Sequence, residues 1–182
     1  TSTSKVTVAR IVRGEDENDP ILKTELLYES SDKLSGVQIC DIAGMDDVFY
    51  FSGGQINNPV LYSFNAKDPE QGLVTIRKFD NIDGLPTHIS VDPFNTVYFS
   101  VKRPGGGGYV VYKYENGSAA NLTSVASGRE LLSMQTDLDG KLYLLFGNNL
   151  VECYDGTEKR FSETIKTSDN LGDIKPAAAM AA

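Results

Sequence analysis

The sequence repeats one order of strand and turn signals three times, and few folds can absorb that pattern. In residues 84–128 a strand at 88–91 runs into the turn Asp92-Pro93-Phe94-Asn95. Val97-Tyr98-Phe99-Ser100-Val101 follows, then a Gly-rich connection, then Val110-Val111-Tyr112-Lys113-Tyr114, the pair Asn116-Gly117 and a last strand at 122–125. Residues 129–165 repeat this with strands at 131–136, 142–146, 150–154 and 160–165, turning at Asp137-Leu138-Asp139-Gly140 and Asp155-Gly156. Residues 36–80 fit with strands at 37–41, 48–52, 60–64 and 73–78. The second strands begin at Val48, Val97 and Leu142, spaced by 49 and 45 residues.

Val, Ile, Tyr and Phe dominate these strands, as half-buried pleated surfaces favour. Asn-Gly and Asp-Gly supply the positive φ angles that two-residue hairpins require. No helical periodicity competes over a comparable length. A four-stranded antiparallel unit recurring every 40–50 residues is the pattern of a propeller blade. One blade cannot bury both faces alone, and radial stacking covers them. The expected fold is therefore all-β: a β-propeller with three full blades at 36–80, 84–128 and 129–165. A partial N-terminal blade at 1–30 precedes them, with strands at 5–12 and 21–29 around an acidic turn at 14–20. The competing arrangement is a β-sandwich in which three hairpin pairs resemble one another by chance.

Two strands plus three units of four give fourteen, two short of the smallest closed ring of four blades. Imperfect closure, another chain completing the ring, or a longer parent would each resolve the shortfall, and a longer parent is the expectation. The absence of an initiator Met suits a mature or excised product. Residues 1–175 are read as one propeller or part-propeller, and 176–182 as an unstructured tail or tag.

Composition narrows the function classes. Asp plus Glu number 25 against 17 Lys plus Arg, a net charge of −8. Nucleic acid and anionic membranes both favour a positive face, so neither is an expected partner. No apolar run approaches the ~20 residues that span a bilayer. Cys40 and Cys153 are too few for a disulfide framework and are read as small core residues. They fall on an inner strand and on a third strand two blades away, beyond the ~7 Å Cα limit for a disulfide. Both are expected reduced and unpaired.

Two blades carry Asp-x-x-(Gly/Asn)-x-(Leu/Val)-Tyr, at Asp92 to Tyr98 and Asp137 to Tyr143. This resembles the blade signature of NHL and gluconolactonase-like propellers. The stretches Val110-Val111-Tyr112-Lys113-Tyr114-Glu115-Asn116-Gly117-Ser118 and Thr136-Asp137-Leu138-Asp139-Gly140-Lys141-Leu142-Tyr143 are similar to arthropod ommochrome-binding-protein-like sequences, best over residues 84–162. That resemblance implies a secreted haemolymph propeller that binds tryptophan-derived pigments. The segment Asp41-Ile42-Ala43-Gly44-Met45-Asp46-Asp47 departs from the pattern, where a shorter turn is expected.

The remaining motifs read structurally. Pro104-Gly105-Gly106-Gly107-Gly108 lacks the Gly-Lys-Ser/Thr ending of a phosphate loop and reads as a flexible connection. Asp137-Leu138-Asp139-Gly140 opens like a calcium loop, but Lys141 puts a cation at the third ligand position and Asn148 replaces the closing Glu, so a hairpin turn is expected. Glu15-Asp16-Glu17-Asn18-Asp19 reads as a solvated loop. His88 is the sole histidine, read as a polar residue entering an inner strand. No nucleophilic triad and no metal set can be assembled.

In a propeller the first strand of each blade lines the channel, and the loops entering it share a face with those joining strands two and three. Gln55, Asn57, Thr87, His88, Lys102, Arg103, Asn148 and Asn149 gather at that mouth as candidate ligand contacts. Lys102 and Arg103 suit an anionic or aromatic ligand. Asn116-Gly117-Ser118 and Asn121-Leu122-Thr123 are candidate glycosylation sites at Asn116 and Asn121 in one hairpin. The first expectation is a secreted, non-catalytic carrier of a small aromatic molecule. A gluconolactonase-like hydrolase using calcium or a similar metal, and a propeller that binds a protein partner, are its rivals.

Overall fold

The computed structural model describes residues 3–4, 7–13, 22–29, 34–35, 38–55, 58–78, 84–125 and 128–165. Among them there is no α-helix. The strands are β1 (Thr3–Ser4), β2 (Thr7–Arg13), β3 (Leu22–Glu29), β4 (Leu34–Ser35), β5 (Gln38–Met45), β6 (Val48–Gln55), β7 (Asn58–Asn65) and β8 (Val74–Lys78). They continue as β9 (Leu85–Val91), β10 (Val97–Lys102), β11 (Tyr109–Glu115), β12 (Ser118–Val125), β13 (Leu131–Thr136), β14 (Leu142–Phe146), β15 (Leu150–Asp155) and β16 (Glu158–Thr164). Three four-stranded antiparallel meanders run β5 to β8, β9 to β12 and β13 to β16, each in chain order. The hairpin β2–β3 and the short pair β1–β4 are separate two-stranded sheets. These are β-propeller blades, and β6, β10 and β14 begin at Val48, Val97 and Leu142 as the repeat requires.

Alternation along each strand explains the stacking. On β10, Val97, Phe99 and Val101 join Leu61, Ile89 and Val91 in a buried layer with Tyr50 and Ile76 of the preceding blade. The residue between, Tyr98, joins Tyr109, Val111, Leu142, Leu144 and Phe146 in a second layer against the following blade. The central blade is thus apolar on both faces, which is why it cannot stand alone. Each such buried side chain contributes about 1.5–3 kcal/mol. Polar ties join the first strands as well: Ile89 donates its backbone N–H to Asp41 Oδ2 at 2.8 Å, and Thr136 donates to Ser90 Oγ at 3.0 Å. At the N-terminal side Tyr28 of β3 packs on Phe64 of β7, ring centroids 5.9 Å apart.

The structure alters several expectations. The segment after Asp41 is not a long turn: β5 continues to Met45 and Asp46-Asp47 alone make the hairpin, with Asp46 at φ 54°. Strands β1 and β4, two residues each, had no signal in the sequence. Both cysteines are free; Cys153 is buried as expected, but Cys40 is exposed rather than in the core. The Gly-rich connection is a closed turn, with Gly107 N–H bonded to Pro104 O and Arg103 N–H to Gly108 O. The acidic segment 14–20 and the tail 176–182 lie outside the described residues.

Candidate functional site

All three first strands break their register at the same level. Between Ile39 and Asp41 on β5 the ladder skips Cys40; between Pro86 and Ile89 on β9, Thr87 and His88 face only Ser100; between Leu131 and Ser133 on β13 it skips Leu132. A bulge adds an unpaired residue and re-aims its side chain. Cys40, Thr87, His88 and Leu132 all line one open cavity of about 450 Å³, with Pro86, Lys102, Tyr109, Glu130 and Leu131. Adjacent first strands touch, β9 against both β5 and β13, so the three bulges converge.

The β9 bulge is held by Ser100. His88 donates its backbone N–H to Ser100 Oγ at 3.1 Å, and that hydroxyl lies 2.7 Å from Thr87 Oγ1. The imidazole Nδ1 lies 3.1 Å from Thr87 Oγ1 and 3.2 Å from Ser100 Oγ. Burial pushes its pKa down, opposed by the Asp41 charge and a hydrogen bond to the Leu132 backbone. His88 is therefore a neutral ring tied to its own blade and the next. Partial desolvation at the cavity wall, then the Asp41 charge, raises the Cys40 thiol above its ordinary value.

A second cavity of about 220 Å³ adjoins, lined by Lys102, Gly106, Gly108, Tyr109, Gly128, Arg129 and Glu130. Lys102, Tyr109 and Glu130 border both. The Lys102 ammonium lies 5.7 Å from the centroid of the Tyr109 ring, which is buried. Arg129 reaches Glu152 at 3.6 Å, while Glu152 is held closer by Lys159, at 2.9 Å.

Of the residues expected at the mouth, the structure brings Thr87, His88 and Lys102 together. Arg103 and Asn148 are exposed and line neither cavity; the cation beside Lys102 is Arg129. Asn149 sits in the β14–β15 turn at φ 60° with its Oδ1 buried. Gln55 ends β6 paired with Asn58, and Asn57 lies outside the described residues. Cys40, Tyr109, Arg129 and Glu130 were missed, because bulges and side-chain convergence have no local signal. Asn116 and Asn121 are both on the surface. The Asp137 carboxylate is occupied as a turn cap, accepting from the N–H of Asp139 and Lys141 and from the Tyr143 hydroxyl. Among the described residues no three His, Cys, Asp or Glu side chains gather as a metal set.

No protein-family model matches the chain, and no curated protein matches its sequence. Solved structures share its fold. Regucalcin from Agrobacterium tumefaciens, described as a calcium-binding protein, is 14% identical with a TM-score of 0.56 over 85% of this chain and 53% of its own. A chain of the mitotic checkpoint complex is 12% identical with a TM-score of 0.56, over 89% of this chain and 47% of its own. Kuenenia stuttgartiensis hydrazine synthase is 13% identical with a TM-score of 0.50, over 73% and 37%. The chain spans about half the length of the first of these. At such identities the likeness speaks for the propeller fold alone.

Proposed function

We propose that this propeller is a non-catalytic binding protein that takes a small anionic aromatic ligand at the convergence of its three bulges. The observation that carries the reading is the placement of Lys102. It stands between the two cavities, against the Tyr109 ring, with Arg129 beyond it. The larger cavity, walled by Pro86, Leu131, Leu132 and Cys40, suits an apolar ring. The smaller, where the cations Lys102 and Arg129 outnumber the one carboxylate of Glu130 beside close glycine backbone, suits a carboxylate or sulfonate. Tryptophan-derived pigments belong to this class, in keeping with the ommochrome-binding resemblance and with a secreted protein glycosylated at Asn116 or Asn121. The remainder of the ring would come from further chain or from another subunit.

The test is titration of the protein with anilinonaphthalene sulfonate and with indole carboxylate, read by fluorescence and calorimetry. Lys102→Ala and Arg129→Ala should each weaken both by about 10-fold, the scale of one lost charge-assisted contact. Unchanged affinity in both variants overturns the reading.

A further inference from the structure

The opposite end of the blades carries a second surface, independent of the cleft. Strand order places the turns β5–β6, β9–β10 and β13–β14 there, with the connections β7–β8, β11–β12 and β15–β16. Two of these turns hold large apolar side chains in solvent: Phe94 is 72% exposed and Leu138 86%. Neither turn is loose. Asp92 Oδ1 accepts the N–H of Phe94 and of Thr96, each at 2.8 Å, and Asp137 Oδ1 accepts those of Asp139 and Lys141 at 3.0 and 2.9 Å. Backbone bonds from Asn95 to Asp92 and from Gly140 to Asp137 close them.

The turns are also joined. The Phe94 ring lies so near Gly140 that a Cβ there would meet two ring carbons at 3.0 Å, and Gly140 has φ +81°. The Phe94 ring thus seats against the turn that bears Leu138, and the two exposed side chains rise as a ridge from adjoining turns of neighbouring blades. The charge around it is negative. Asp46, Asp68, Glu70, Asp139, Asp155 and Glu158 are exposed at this end and outnumber its cations, of which Lys67 pairs with Asp47, Lys113 with Glu115, Lys141 with Asp139, and Arg160 with Asp155 and Glu158.

We propose that this ridge docks a Lys- or Arg-bearing polypeptide segment through an apolar anchor residue. The apolar side chains stand on turns already ordered, so covering them costs little further chain entropy. The acidic rim selects a cationic partner and steers it in. The same rim disfavours an anionic bilayer, the other surface that exposed Phe and Leu could enter.

The experiment compares two labelled peptides, one alternating Lys with Leu and one alternating Lys with Ser, by fluorescence anisotropy. The Lys-Leu peptide should bind the unmodified protein at least about 10-fold more tightly, as one buried Leu anchor allows. Phe94→Ser with Leu138→Ser should erase that preference, and Asp139→Lys should weaken both peptides. Circular dichroism confirms that each variant is folded, as substitution at exposed turn positions should leave it. Equal binding of the two peptides, or an undiminished preference in the double variant, overturns the proposal. Binding to phosphatidylcholine vesicles that is lost in the double variant also overturns it, in favour of a lipid surface. Because Lys102 and Arg129 lie at the other end, failure here leaves the cleft untouched.

Discussion

Asp41 reaches across the seam between two blades to accept the backbone N–H of Ile89 at 2.8 Å, while its other oxygen accepts that of Ile42 at 2.9 Å. Ile89 is buried, so removing the carboxylate leaves this donor without its partner at the seam. Asp41→Ala should therefore destabilise the fold by about 1–3 kcal/mol, the cost of an unsatisfied buried donor. Asp41→Asn keeps one acceptor oxygen and should lose less. Urea unfolding of the two variants checks both the size and the order.

The same carboxylate faces His88. Burial holds that imidazole below its ordinary pKa of 6.5, against the pull of Asp41 and the Leu132 backbone. In the unfolded chain the ring binds its proton more readily than in the fold. Stability contributed by the neutral ring is thus complete above about pH 6.5 and is lost as pH falls toward the lowered folded value. The difference in unfolding free energy between the unmodified protein and His88→Gln should shrink over that window. As the sole histidine, its proton resonances report the folded pKa directly; a value above 6.5 would reverse the sign.

How much of this could be read beforehand follows from where the information lies. Val97-Tyr98-Phe99 and Leu142-Tyr143-Leu144 announce strands through composition, and their start points were legible to the residue. The turns Asp92 to Asn95 and Asp137 to Gly140 were legible too, since Asx capping is local chemistry. The cleft was legible only as an end of the blades. That Lys102 shares a cavity with Arg129 and not with its neighbour Arg103 depends on the closed turn at Pro104 to Gly108. That Cys40 is exposed depends on a bulge, and both are products of how strands meet. Asp46-Asp47 misled because two acidic residues without glycine rarely look like a tight hairpin, yet Asp46 adopts the left-handed conformation that Asp tolerates.

Tyr98 and Tyr143 occupy the same place in successive repeats and should both titrate late, for different reasons. Burial raises Tyr98 to about 12; for Tyr143 the hydrogen bond to Asp137 comes first and raises it to about 12. Both phenols stay protonated in the fold after they would ionise in the unfolded chain near pH 10. Their stabilisation is full below pH 10 and is lost as pH rises toward 12. Near-ultraviolet titration of the nine tyrosines should show at least two late ionisations. Asp137→Asn should bring Tyr143 down and leave Tyr98 where it is.

Glu152 links stability to the cleft. Its side chain is buried between blades, accepting from Tyr154 Oη at 2.9 Å, Lys159 Nζ at 2.9 Å and Ser162 Oγ at 3.4 Å, with Arg129 at 3.6 Å. The Tyr154 oxygen in turn accepts from Thr123 Oγ1 of the preceding blade at 3.2 Å. Glu152→Gln keeps the shape and an acceptor but removes the charge that holds two cations. Lys159 and Arg129 are about half exposed and can turn to water. The loss should therefore stay near 1–2 kcal/mol, below that of breaking a fully buried pair. Release of Arg129 also leaves more positive potential at the smaller cavity. The same substitution should then raise affinity for anilinonaphthalene sulfonate about 2- to 5-fold while lowering the unfolding midpoint. Opposite movement of the two readouts separates this linkage from simple loosening of the fold, which would lower both.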